Sequence, residues 1–103
     1  MKIEEVFARR RFIMLDGAMG TQLQLRGLTT EQKPELAAFI MPDVLTAVHR
    51  DYARAGADIL LANTFGANPR KLKGTGYTVQ QVIEASIACA QTAAQETGAL
   101  VAL

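Results

Sequence analysis

The 103 residues hold one cysteine, Cys89, and one histidine, His49. A lone cysteine excludes an internal disulfide. One cysteine and one histidine also fall short of the three or four ligands that a zinc site needs. Charge of one sign is lacking too, since 11 Lys and Arg oppose 10 Asp and Glu. That balance gives no electrostatic ground for binding nucleic acid or a membrane surface. No apolar run approaches the ~18–20 residues of a membrane span. Charges from Lys2 to Arg11 interrupt any signal-peptide core. There are no internal repeats and no low-complexity stretches. Gly17 and Gly20 lack the G-x-G-x-x-G spacing, and Gly74-Thr75-Gly76 is followed by Val79 at the third glycine position with no strand before it. A plain turn is expected at 74–76, and no Walker A sequence is present. These absences favour a cytoplasmic protein.

What is present is a regular alternation of elements. Ile3, Val6 and Phe7 at helical spacing predict a short amphipathic helix over 2–10, with Arg9-Arg10-Arg11 as its solvated end. Phe12-Ile13-Met14-Leu15 is a short apolar run ended by Asp16-Gly17, as in a strand buried on both faces. A short helix over Thr21–Leu28 follows, then a long, partly buried connection over 29–41. Pro42 suits a first helical turn, and Val44, Leu45, Val48, Tyr52 and Ala55 make one apolar face ending at Gly56. Asp58–Ala62 predicts a second strand, 63–69 a loop, and Lys71–Gly76 a basic turn. Thr78 caps a helix to about Thr97, with Val79, Val82, Ile83, Ile87, Ala90 and Ala94 inward, and residues 99–103 begin a third strand. Strands alternating with helices imply an α/β fold with parallel pairing through right-handed crossovers. A doubly wound sheet and a barrel both fit this pattern. The chain ends in an apolar strand, so it is expected to be cut from something longer.

Ligands of parallel α/β proteins gather at the C-terminal ends of strands. The first strand delivers Asp16, Gly17 and Gly20 there, and the second delivers Asn63 and Thr64. The carboxylate suits an ammonium group, the glycines let backbone amides approach, and the amide and hydroxyl suit a carboxylate. Together they form a plausible amino-acid cradle. The plainer alternative has Asp16 capping the next helix and Asn63 satisfying a tight turn. His49 is expected on a partly exposed helix face, and Cys89 as a small packed residue.

LDGAMGTQLQLRG at 15–27, MPDVLTAVHRDYARAGADILLANTFGAN at 41–68 and the helix leading to GALVAL resemble the homocysteine S-methyltransferase family. The nearest likeness is to the N-terminal homocysteine domain of its cobalamin-dependent members. The resemblance covers nearly the whole chain. It implies that residues 1–103 are the N-terminal part, about three βα units, of a (β/α)₈ barrel truncated at its C-terminal side. It implies a parent enzyme that passes a methyl group to the thiol of homocysteine, giving methionine. Zinc held by three cysteines outside this chain would activate the thiol, with methylcobalamin charged from methyltetrahydrofolate as donor, or another methyl compound. Asp16, Gly17, Asn63 and Thr64 would bind homocysteine, and Glu35 could contact it, or could be a surface carboxylate instead. Ala38 stands where relatives commonly carry asparagine, a departure on the second side of the cradle. No catalytic residue and no metal ligand is expected in this segment. The expected partners are homocysteine, the remaining barrel strands and folate or cobalamin domains. The isolated segment is expected to be inactive and to self-associate through an open apolar face. Two other readings are a non-catalytic partial barrel, and a different barrel enzyme using Asp16 as acid or base.

Overall fold

The computed structural model describes residues 2–9 and 13–103, without the side chains of Val6 and Arg9. The basic run at 9–11 and the start of the first predicted strand therefore lie outside the described residues or side chains. Helix α1 spans Ile3–Arg9. Its Ile3 and Phe7, two positions of the predicted apolar stripe, are both exposed. Helix α2 spans Gly20–Leu25 and buries Leu23.

The predicted long connection is largely helical. A 3₁₀ turn at Pro34–Leu36 runs into helix α3, Ala37–Ile40. Proline in the first turn and two alanines without branched side chains allow this tight path. Ala37 and Ala38 are both buried in the core beside Leu23, Leu45 and Val48.

Helix α4 spans Pro42–Arg54, with Pro42 opening it and Asp43 in its first turn, where the helix dipole favours a carboxylate. Gly56 follows with φ +114°, the left-handed region expected of a helix-ending glycine. Strand β1 is Ile59–Leu61 and strand β2 is Leu100–Ala102; they pair in parallel, Ile59 with Leu100 and Leu61 with Ala102. Leu15 bridges Ile59 in parallel on the other side of β1. The order across the sheet is thus the Leu15 segment, β1, β2, so that segments consecutive in the chain are neighbours in the sheet.

The predicted basic turn at 71–76 is a helix at its start: α5 spans Pro69–Leu72, with the Asn68 side chain accepting a hydrogen bond from the Lys71 N–H at 2.9 Å. An Asn-Pro pair at this point is a helix start as much as a turn. Helix α6, Val79–Ala94, opens on a reciprocal capping box between Thr78 and Gln81. It packs against α4, and Arg50 and Arg54 of α4 both reach Glu96, at 2.9 and 3.1 Å. The core lies between α4, α6 and β1, where Leu60, Ala53, Ala93 and Ala94 are buried together. Among the described residues, no helix is long and apolar enough to cross a membrane.

Candidate functional site

Two aspartates tie the Leu15 segment to β1, one at each end. Asp58, just before β1, accepts a hydrogen bond from the Met14 N–H at 2.9 Å. Asp16, at the opposite end, accepts one through Oδ2 from the Leu61 N–H at 3.1 Å, and its own N–H donates to the Ile59 carbonyl at 3.2 Å. Oδ1 of Asp16 is buried with no partner among the described residues. Burial raises the Asp16 pKa above the ordinary carboxyl value, and two backbone hydrogen bonds pull against that rise. The alternative of a helix cap does not hold: α2 begins after Met19 without any side-chain cap.

Gly17 is pressed against α4. A Cβ there would stand 3.0 Å from the Tyr52 hydroxyl oxygen, so glycine is the residue that fits without displacement. The same hydroxyl donates to the Ala18 carbonyl at 2.7 Å, fixing the loop that leaves the first strand end. In the sequence, Tyr52 reads only as an apolar position of the helix. Its hydroxyl, at the centre of a helix face near a glycine loop, is the signal that was missed.

Asn63 and Thr64 leave β1 at the end where Asp16 sits. The Asn63 Nδ2 donates to the Pro34 carbonyl at 2.6 Å, which draws the Pro34–Glu35 segment over the loop. Thr64 is held in a tight turn by its N–H donating to the Ala62 carbonyl at 2.7 Å. Glu35 lies against Gly66 so closely that a Cβ on Gly66 would collide with its carboxyl group. The Glu35 side chain is only 14% exposed and its Oε1 lies 3.7 Å from Lys71 Nζ. A surface carboxylate is thus not the right description of Glu35. The structure brings Asn63, Glu35 and Lys71 into one cluster at the strand end that Asp16 shares.

His49 departs from expectation. It is fully buried, not partly exposed, and both ring nitrogens lack a partner among the described residues. Helix α4 is covered on more than one side, by α6, α2, α3 and β1, and this widens its buried face beyond the predicted stripe. Burial lowers the His49 pKa to about 4. Cys89 is buried, with Sγ 3.9 Å from the Pro42 carbonyl. Among the described residues no group of three His, Cys, Asp or Glu side chains could hold a metal ion. The residues present therefore do not fit a zinc site.

The parallel strands thus define an α/β segment that gathers Asp16, Asn63 and Thr64 at one end, with Oδ1 of Asp16 buried there without a partner among the described residues. A family model described as Homocysteine S-methyltransferase matches residues 13–103. The chain is 46% identical over 65 residues to methionine synthase of Mycobacterium tuberculosis, covering 57% of this chain and 6% of that protein. It is 36% identical over 93 residues to betaine–homocysteine S-methyltransferase 1 of Danio rerio, covering 84% of this chain and 23% of that one. The crystal structure of the metallated form of the homocysteine methyltransferase MmuM from Escherichia coli superposes with a TM-score of 0.84 at 26% identity, over 97% of this chain and 39% of that one. The chain belongs to the homocysteine S-methyltransferase family. It spans well under half the length of each of these three relatives.

Proposed function

We propose that the whole protein transfers a methyl group to the sulfur of homocysteine, giving methionine, and that these residues form one wall of the amino-acid pocket. The single observation that carries this is Asp16. One carboxylate oxygen is pinned by Leu61 and the other is buried and unpaired among the described residues. A buried acceptor without a partner is costly, and an ammonium group placed there would satisfy it and restore the ionised form. Gly17, Asn63 and Thr64 would line the rest of the α-amino and carboxylate site, with Glu35 at its edge. In this reading the chain opens a (β/α)₈ barrel as its first three βα units, a parallel order supported by the pairing of β1 with β2 and of Leu15 with Ile59.

What this segment contributes to the reaction is binding and orientation. Holding the amino-acid end fixes where the sulfur points, and good alignment is worth roughly 7–11 kcal/mol in favourable cases. The zinc implied by the family has no ligand set among the described residues. Its cysteine ligands, the donor surfaces and any cobalamin or folate domains belong to this proposal as parts outside the 103 residues, with the cytoplasm as the place of action. The methyl donor is methylcobalamin charged from methyltetrahydrofolate, the reading favoured by the likeness to methionine synthase; the zebrafish relative is named for betaine instead.

The experiment is a calorimetric titration of the full-length protein with homocysteine, beside an assay for methionine with each donor. Homocysteine binding that depends on Asp16, with methionine formed, is the expected result. No methionine with any donor, and homocysteine binding indifferent to Asp16→Ala, would overturn the proposal.

A further inference from the structure

Asp58 stands just before β1, at the end of the sheet away from Asp16, and is only 8% exposed. It joins the segments on both sides of β1. Its Oδ2 accepts from the Met14 N–H at 2.9 Å, and its own N–H donates to the Met14 carbonyl at 2.7 Å. Its carbonyl accepts from the Leu100 N–H at 2.9 Å. The backbone ladder between the Leu15 segment and β1 is short. Among the described residues it consists of the Asp58 and Ile59 N–H groups donating to the Met14 carbonyl and the Asp16 N–H donating to the Ile59 carbonyl. At each end of this ladder a carboxylate takes the place of a backbone carbonyl: Asp58 accepts the Met14 N–H, and Asp16 accepts the Leu61 N–H. Register matters for Asp16, because successive side chains of a strand point to opposite faces and a slip of one residue turns a side chain to the other face.

We propose that Asp58 is a positioning residue for homocysteine: by holding the Met14 N–H it fixes the register of the first strand segment on β1, and so places the Asp16 carboxylate for the ammonium group of the substrate. The inference rests on the homocysteine reading above and deepens it by naming a residue that acts on the pocket from the opposite end of the sheet. Asp58 touches no ligand in this scheme. It acts through Met14, two residues ahead of Asp16 on the same segment. What it supplies is an acceptor at a fixed reach, since the N–H that it holds carries no charge. Without that acceptor the Met14 N–H is left to find another, and the short segment is free to shift or fray.

The test is homocysteine affinity by calorimetry on the full-length protein, with thermal melts to establish that each variant is folded. Asp58→Ala should weaken homocysteine binding by about ten-fold or more. Asp58→Asn, which keeps an oxygen at the same reach, should bind within about two-fold of wild type. Asp58→Glu keeps the charge but sets its carboxylate one methylene further out. It should lose affinity as Asp58→Ala does, and it carries the test if Asp58→Ala does not fold. A double-variant cycle separates positioning from mere stability. Asp16→Asn should cost several-fold less affinity beside Asp58→Ala or Asp58→Glu than in wild type, because Asp16 is already displaced there. A purely structural role would leave the two effects additive. Unchanged affinity in folded Asp58→Ala or Asp58→Glu, loss of affinity in folded Asp58→Asn, or additive effects in the cycle would each overturn the proposal. Homocysteine that fails to bind wild type, or binds it regardless of Asp16→Asn, would instead count against the functional reading.

Discussion

Oδ2 of Asp16 accepts the Leu61 N–H at 3.1 Å, while Oδ1 of the same carboxylate is buried and unpaired among the described residues. The residue is therefore half structural and half available, and the halves can be separated. Asp16→Asn keeps an oxygen to accept from Leu61 but loses the charge. Its fold should survive, and homocysteine affinity should fall by about 1.5–3 kcal/mol, the worth of a hydrogen bond to a charged group. Because burial raises the carboxyl pKa, wild-type affinity should decline as pH falls, starting at a higher pH than for an ordinary carboxylate. Titration calorimetry across pH, with thermal melts as the fold control, checks both. An unaltered affinity in Asp16→Asn would remove the residue from the site.

Much of this arrangement was legible in the sequence because it rests on local rules. Thr78, Gly56 and Gly98 mark helix ends by chemistry that acts within a few residues, and the structure has the Thr78 capping box and positive φ at both glycines. The strand ends could be placed because an apolar run stops at a polar residue at Asp16 and Asn63. The cluster of Asn63, Glu35 and Lys71 was not legible. It depends on the Asn63 amide reaching Pro34, a contact 29 residues apart that no periodicity encodes. His49 was misread for a similar reason. A helical stripe shows one buried face, whereas packing on several sides of α4 is a tertiary fact.

Gly66→Ala should disturb the contact between the loop after β1 and Glu35. The new Cβ would collide with the Glu35 carboxyl group, so the carboxylate must move and release Lys71. Because the colliding atoms belong to a flexible side chain, the cost should lie at the low end of overpacking, about 1 kcal/mol. Glu35→Ala should relieve most of that cost, making the double variant more stable than the sum of the two single changes. Strict additivity in chemical denaturation would show that the two groups do not meet.

Tyr52→Phe removes one hydroxyl and leaves the ring. The lost bond to the Ala18 carbonyl, 2.7 Å long, should cost about 0.5–1.5 kcal/mol of stability. It should also loosen the loop that carries Gly17 and follows Asp16. Homocysteine affinity is therefore expected to fall although Tyr52 need not touch the ligand. A variant equal to wild type in both melting temperature and affinity would mean that the loop is held by other contacts.

His49 should make stability depend on pH in a definite direction. Its folded pKa is lowered to about 4 by burial, against an ordinary value of 6.5. Above pH ~6.5 the ring is neutral in both states and burial carries no proton penalty. As pH falls below ~6.5 the unfolded chain takes up a proton that the folded chain refuses, so stability is lost progressively until the pH passes below ~4. A gap of roughly 2.5 pKa units corresponds to about 3.4 kcal/mol at most. Carboxylates also titrate in this range, so the comparison must be with His49→Leu, which is similar in size and has no ring nitrogens to leave unpaired. Both nitrogens of His49 are buried without a partner among the described residues, and removing them should leave neutral-pH stability unchanged or higher. Denaturation of both proteins at pH 7.5 and pH 5 then gives the histidine contribution by difference. A wild type that loses no more stability than His49→Leu between those two values would show that the ring is solvated or paired in solution.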